Sequence, residues 1–171
     1  MTVEEIASLT ERLTEALADT FKDDERRIAH AHKVLEYARL IRDREGGDER
    51  VVIAAALLHD VGIVIAEELH GSSAGSHQER YGPALARKIM ENLEMASADI
   101  DHVCDIISDH HSGKKMDTPE FRILWDADWL VNIPDEFDLA DTEKITRIIE
   151  RVFKTDTGRE TARRLFMKGD E

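Results

Sequence analysis

Residues Val51 to Leu58 read Val-Val-Ile-Ala-Ala-Ala-Leu-Leu, eight uncharged positions that run straight into His59-Asp60-Val61-Gly62. A helix with no polar face is a core helix. The imidazole and carboxylate at its end therefore belong to the interior. A carboxylate placed there costs several kcal/mol unless it is paired or meets a cation. Every other unusual polar residue in the chain is a possible partner for this pair.

The chain has 171 residues, enough for one domain that buries roughly 70% of its unfolded surface. Apolar residues make up 42% and charged ones 35%, with only three prolines, the profile of a soluble and mostly helical protein. The one cysteine, Cys104, rules out an intrachain disulfide and fits a reducing cytoplasm. The start, acidic and amphipathic, has neither the basic nor the apolar region of a signal peptide, and no apolar run reaches the ~18 residues of a membrane span. A net charge of −14 argues against a nucleic-acid polymer as ligand, because phosphate backbones demand a basic footprint. A small anionic substrate stays compatible if a metal and a few local cations reverse the field inside a pocket.

The spacing predicts an all-α, single-domain bundle of about seven or eight helices. Thr2 with Glu5 reads as a capping box for a first helix to about Asp19. Asp23 or Asp24 caps a second that Gly46-Gly47 stops. A third spans about Glu49 to Asp60. A short helical piece around Ala66 to Glu68 and a flexible loop, Gly71 to Ser76, precede a fourth from Gln78 to Asn92. Ser97 caps a fifth to about His111. Thr118-Pro119 opens a sixth that runs to about Val131 and breaks near Pro134. Asp141 caps a seventh to Phe153, and Thr157 with Glu160 opens a last one; residues 141–168 are expected to pack on the core.

Helical geometry sorts the eight histidines. His30 shares its face with Val34, Tyr37 and Ile41, whereas His32 shares one with Glu36, Arg39 and Asp43, so His30 is the inward candidate. His77 precedes an apolar face of Tyr81, Ala84, Leu85 and Ile89; a helix-capping or loop role competes with a ligand role. His110 aligns with Val103, Ile106 and Ile107, and His111 with Ile100, Cys104 and Ile107, so periodicity does not choose between them. Asp128 occupies the apolar stripe of the sixth helix, while Asp126 aligns with Arg122 and Leu130. Inward His and Asp residues from separate helices point to one shared metal centre. Mixed imidazole and carboxylate donors suit Fe, Mn, Co, Ni or Zn, with Mg also possible.

The spacing His30…His59-Asp60…Asp128 resembles the HD-domain metal-dependent phosphohydrolase superfamily. The contexts His30-Ala-His-Lys-Val34, Ala56-Leu57-Leu58-His59-Asp60-Val61-Gly62 and Leu124-Trp125-Asp126-Ala127-Asp128 carry that resemblance over about residues 25 to 135. It implies a helical cage with one or two divalent metals per chain. In the family the last aspartate follows an alanine, which favours Asp128 over Asp126. Resemblance to the dinuclear branches implies His77 and His110, with His111 as alternate, as ligands of a second metal. Asp60 would then bridge the two, and His30, His59 and Asp128 would complete the first. Ile63 stands where many members carry lysine, and the Gly-Tyr-Pro signature of the cyclic-di-GMP-cleaving branch is missing.

The activity this implies is hydrolysis of a nucleotide or another small phosphate ester, with Asp60 and His59 at the catalytic centre and Lys114 and Lys115 meeting phosphate charge. Two rivals share the ligand set: a mixed-valent di-iron oxygenase and a non-catalytic nucleotide sensor. Leu165, Phe166 and Met167 offer an apolar patch that would serve either a homodimer contact or a cap on the core.

Overall fold

A computed structural model describes residues 1–167, and every regular element among them is a helix. The axis of the packing is α3 (Glu49–Leu58), in which each residue from Val51 to Leu58 is buried. Fully burying one Val, Ile or Leu side chain is worth roughly 1.5–3 kcal/mol, so this short helix contributes far beyond its length. Around it pack α1 (Val3–Phe21) through Leu13 and Leu17, and α2 (Glu25–Glu45) through Ala31, Val34, Ala38 and Ile41. On its other sides lie α6 (Ser97–Ile107) and α7 (Pro119–Glu136). Phe121, Ile123, Leu124 and Ala127 of α7 are buried.

The predicted caps are largely in place. Glu5 N donates to Thr2 Oγ1 at 3.2 Å while Thr2 N donates to Glu5 Oε2 at 2.7 Å. Asp24 caps α2, Thr118 caps α7 and Asp141 caps α8 (Thr142–Val152). The last helix, α9 (Asp156–Phe166), is capped by Thr155 rather than Thr157; the Thr157 N–H turns instead to Glu45 at the end of α2. Ser97 is the first residue of α6 rather than its cap. Pro134 does not end α7. It sits in the last turn, whose neighbours supply the bond that closes the helix at Phe137.

The short piece expected around Ala66 to Glu68 is a helix in its own right, α4 (Gly62–His70), which brings the described residues to nine helices. The following loop is shorter than predicted, because α5 (Gly75–Asn92) begins three residues before Gln78. The start of α4 lies so close to α5 that a Cβ on Gly62 would stand 2.7 Å from both Gln78 O and Gly82 N. Glycine at that position is therefore a packing requirement, and it places the His59-Asp60 turn directly beside α5.

At the C-terminal end, α9 packs on α7, α8 and α2. Phe166 and Met167 lie against the core while Leu165 stays exposed. Lys168, the expected end of this region, lies outside the described residues. Among the described residues no helix is long and apolar enough to cross a membrane.

Candidate metal centre

His59 is the first residue beyond α3, where the helix's last carbonyls lose their intrahelical partners. Its Nδ1 donates to one of them, Ala56 O, at 2.9 Å. His110 repeats the device beyond α6, with Nδ1 on Ile107 O at 2.7 Å. This needs α6 to stop at Ile107, earlier than the predicted His111. When either ring is neutral, Nε2 is thereby the nitrogen that carries the lone pair. Both Nε2 atoms are buried without a hydrogen-bond partner.

Those orphaned nitrogens converge on Asp60. Its Oδ2 lies 3.2 Å from His59 Nε2 and 3.4 Å from His30 Nε2, while its Oδ1 lies 3.4 Å from His110 Nε2. Asp128 Oδ1 is 3.1 Å from His30 Nε2 and 3.5 Å from His59 Nε2. Asp60 thus stands between two sets of donors, one oxygen toward each. His30, His59 and Asp60 form one group close enough to share a cation, and Asp60, His110 and His111 form another.

Charge follows the same plan. Burial works to keep Asp60 and Asp128 neutral, yet the surrounding imidazoles hold both carboxyls well below the usual carboxylate range. Burial works to discharge His59, and the two carboxylates overcome it and raise its pKa well above 6.5. At the rim His111 goes the other way, lowered to about 4 by burial and by neighbouring His110, so it stands ready as a neutral ligand. Two ionised carboxylates, orphaned imidazole nitrogens and no cysteine nearby fit a divalent metal centre of mixed N/O ligation.

The cluster forms the floor of a cleft of about 660 Å³, inside the usual range for small-molecule sites. The α2 wall supplies Arg26, Arg27 and Lys33; the end of α7 supplies Asn132, Asp135 and Glu136. Arg27 is held by Glu67 and Asp24, whereas Arg26 meets no carboxylate among the described residues.

Of the sequence candidates, the structure brings together His30, His59, Asp60, His110 and Asp128, and it adds His111 beside His110 rather than in its place. It does not bring in His77. That ring stacks on His70 at 4.1 Å, outside the cluster, because the inward position of the first α5 turn belongs to its neighbour Gln78. Lys114 and Lys115 also fall outside the cleft. Their backbone N–H groups, with that of Met116, wrap the buried Asp109 carboxylate and their side chains are exposed.

Asp126 and Asp128 separate cleanly. Asp126 is fully buried away from the cluster, accepting from Lys154 N, Thr155 N and Thr155 Oγ1. Sequence reasoning missed three residues. Asn132 donates to Asp128 Oδ1 at 3.0 Å, one helical turn on. Arg26 lies one turn before His30. Gln78 heads the buried stripe Gln78, Gly82, Ala86, Met90. In each case the four-residue spacing was a readable signal.

Residues 27–133 match the model of the HD domain family. The chain is 27% identical over 139 residues to Ribonuclease Y of Sulfurovum sp. (strain NBC37-1), a stretch that covers 81% of this chain and 25% of that protein. It therefore spans only about a quarter of that relative's length. It is also similar to the solved structure of a predicted HD superfamily hydrolase from an uncultured Thermotogales bacterium. That similarity has a TM-score of 0.69 and 26% identity, covering 96% of this chain and 90% of the other.

Proposed function

The chain belongs to the HD domain family, and from that premise we propose that it is a metal-dependent phosphohydrolase of a nucleotide or another small phosphate ester. The observation that carries the reading is Asp60 itself, with one oxygen toward His30 and His59 and the other toward His110, at the floor of an open cleft.

His30, His59, Asp60 and Asp128 would hold one cation, and Asp60, His110 and His111 a second; such cations lower the pKa of bound water and neutralise charge on phosphate oxygens. The chain's own residues do the rest. The Nδ1 bonds of His59 and His110 fix both ring orientation and tautomer, so no reorganisation is needed when substrate arrives. Asn132 orients Asp128. Arg26 and Lys33 flank His30 at one helical turn on either side, so an anion that reaches the cluster meets positive charge at the cleft wall. Lys33 pairs with exposed Glu36, and such a pair is weak enough to yield to a phosphate.

The relative named Ribonuclease Y makes a phosphodiester a natural member of the substrate panel. A small substrate fits this chain better than a long RNA, because its net charge is −14 and the cleft's cations are confined to one wall.

The test is a screen of metal-depleted protein reloaded with Mn, Co, Ni, Fe or Mg. The panel contains phosphate monoesters, mononucleotides, cyclic and linear diesters and a short RNA. Hydrolysis that disappears in the His59→Ala/Asp60→Ala variant supports the reading. Iron-dependent O₂ consumption without phosphate chemistry would replace it with an oxygenase, and tight nucleotide binding without turnover would replace it with a sensor.

A further inference from the structure

Gln78 is buried, lies in the first turn of α5, and uses both ends of its amide. Nε2 donates to Ser73 O at 2.8 Å, in the loop between α4 and α5. Oε1 lies 3.0 Å from His111 Nε2 and accepts its proton. Because an amide oxygen only accepts, His111 is held with hydrogen on Nε2, and Nδ1 is the nitrogen left free. Neighbouring His110 shows the opposite choice, with Nδ1 tied to Ile107 O and Nε2 facing Asp60.

Two further contacts show that this placement is built. A Cβ on Gly75 would stand 2.8 Å from His111 Cγ, so the ring packs on α5 only because residue 75 has no side chain. Glu79 Oε1 accepts from His111 N at 3.0 Å and from Ser112 N at 2.7 Å, and its Oε2 accepts from Ser112 Oγ. Consecutive residues of one helical turn thus hold the ring and the backbone of the same histidine.

The two halves of the centre are also unequal in charge. One has both Asp60 and Asp128; the other shares Asp60 and otherwise has only imidazoles, with no second carboxylate. With one carboxylate fewer, the second half depends more on how well its ring nitrogens are aimed.

We propose that Gln78 is a positioning residue for the Asp60–His110–His111 half alone, setting the His111 tautomer and tying that half to the 71–74 loop. The cation held there is then the weaker and more exchangeable of the two, and its affinity answers to Gln78 while the other does not. The inference rests on the two-cation reading of the site and not on any substrate or turnover.

The experiment is calorimetric titration of the metal-depleted 171-residue chain with Mn²⁺, read alongside elemental analysis. Wild type should show two classes of site, one removed by His110→Ala and the other by Asp128→Ala. Gln78→Ala should weaken the first class by about 10–100-fold, the range for loss of an outer-shell partner, and leave the second unchanged. Gln78→Glu, which still accepts from Nε2–H but no longer donates to Ser73 O, should recover part of the affinity that Gln78→Ala loses. Circular dichroism melting of Gln78→Ala checks that the fold survives. A single class of site in wild type, equal weakening of both classes, or no change in Gln78→Ala would each overturn the proposal. If two classes respond as expected while no phosphate ester is hydrolysed, the proposed function fails and this inference stands.

Discussion

His30 and Asp128 stand 98 residues apart in the chain, yet Nε2 of the first lies 3.1 Å from Oδ1 of the second. The packing of α2 against α7 makes that contact, and Asn132 holds the far side of the same carboxylate oxygen. Replacing Asn132 by alanine is expected to lower metal affinity by about 10–100-fold, as loss of an outer-shell partner does. Asp128→Ala should cost more, because it removes charge as well as orientation. Equilibrium dialysis against a chelator series ranks the two, and equal effects would show that Asn132 plays no orienting part.

Asp126, two residues earlier, gives the opposite expectation. Its carboxylate satisfies two backbone N–H groups and a hydroxyl at the α8–α9 turn. Asp126→Ala leaves those donors without their partner at ~1–3 kcal/mol for each that stays buried, so urea denaturation should show a loss of several kcal/mol. Metal content should stay at the wild-type value. A variant that loses metal while keeping its urea midpoint would reverse the assignment of the two aspartates.

On the cleft wall, Arg26→Ala should raise KM for a phosphate substrate about ten-fold with little change in kcat, as loss of a charge-assisted hydrogen bond in both ground and transition states does. Lys114→Ala, outside the cleft, should leave both constants within two-fold, roughly the scatter of a neutral surface change. Steady-state kinetics on the pair distinguishes the α2 wall from the 112–117 turn as the anion-facing element.

Acid should loosen the junction of α2 and α9. Glu45 receives hydrogen bonds from Thr157, side chain and backbone, which hold its carboxyl below the ordinary value of 4.5. A folded pKa below the unfolded one contributes stability that is present above the unfolded value and is lost as pH falls through the folded value. Between about pH 6 and about pH 3 wild type should therefore lose more stability than Glu45→Gln, whose amide does not titrate. Urea midpoints across that range read the difference, and parallel pH profiles would remove Glu45 from the junction.

Much of this is legible in the amino-acid order. The apolar run Val51–Leu58 could only be a core helix, and that alone put His59 and Asp60 inside. Face counting picked His30 over His32; the apolar stripe held Asp128, and the resemblance to HD domains favoured it over Asp126. Each worked because the residue lay well inside a regular helix or at the end of an all-apolar one, where side-chain direction follows from periodicity.

The departures lie at helix ends. His77 faces away where its neighbour Gln78 faces in, and His111 joins His110 at the cluster where only one of the two was expected; a helix turns about 100° per residue, so its limits set these directions. Where α5 began decided that Gln78 faces inward, and the end of α6 at Ile107 let both His110 and His111 reach the cluster. Those limits depend on contacts between distant segments: Gly62 against Gln78, Glu79 against the 111–112 backbone, Gly75 against the His111 ring. The amino-acid order by itself determined most of the helices, the buried axis and the inward direction of His30, His59 and Asp60. Only tertiary packing decided that Gln78 rather than His77 faces the cluster, that His110 and His111 stand there together, and which cations share the cleft with them.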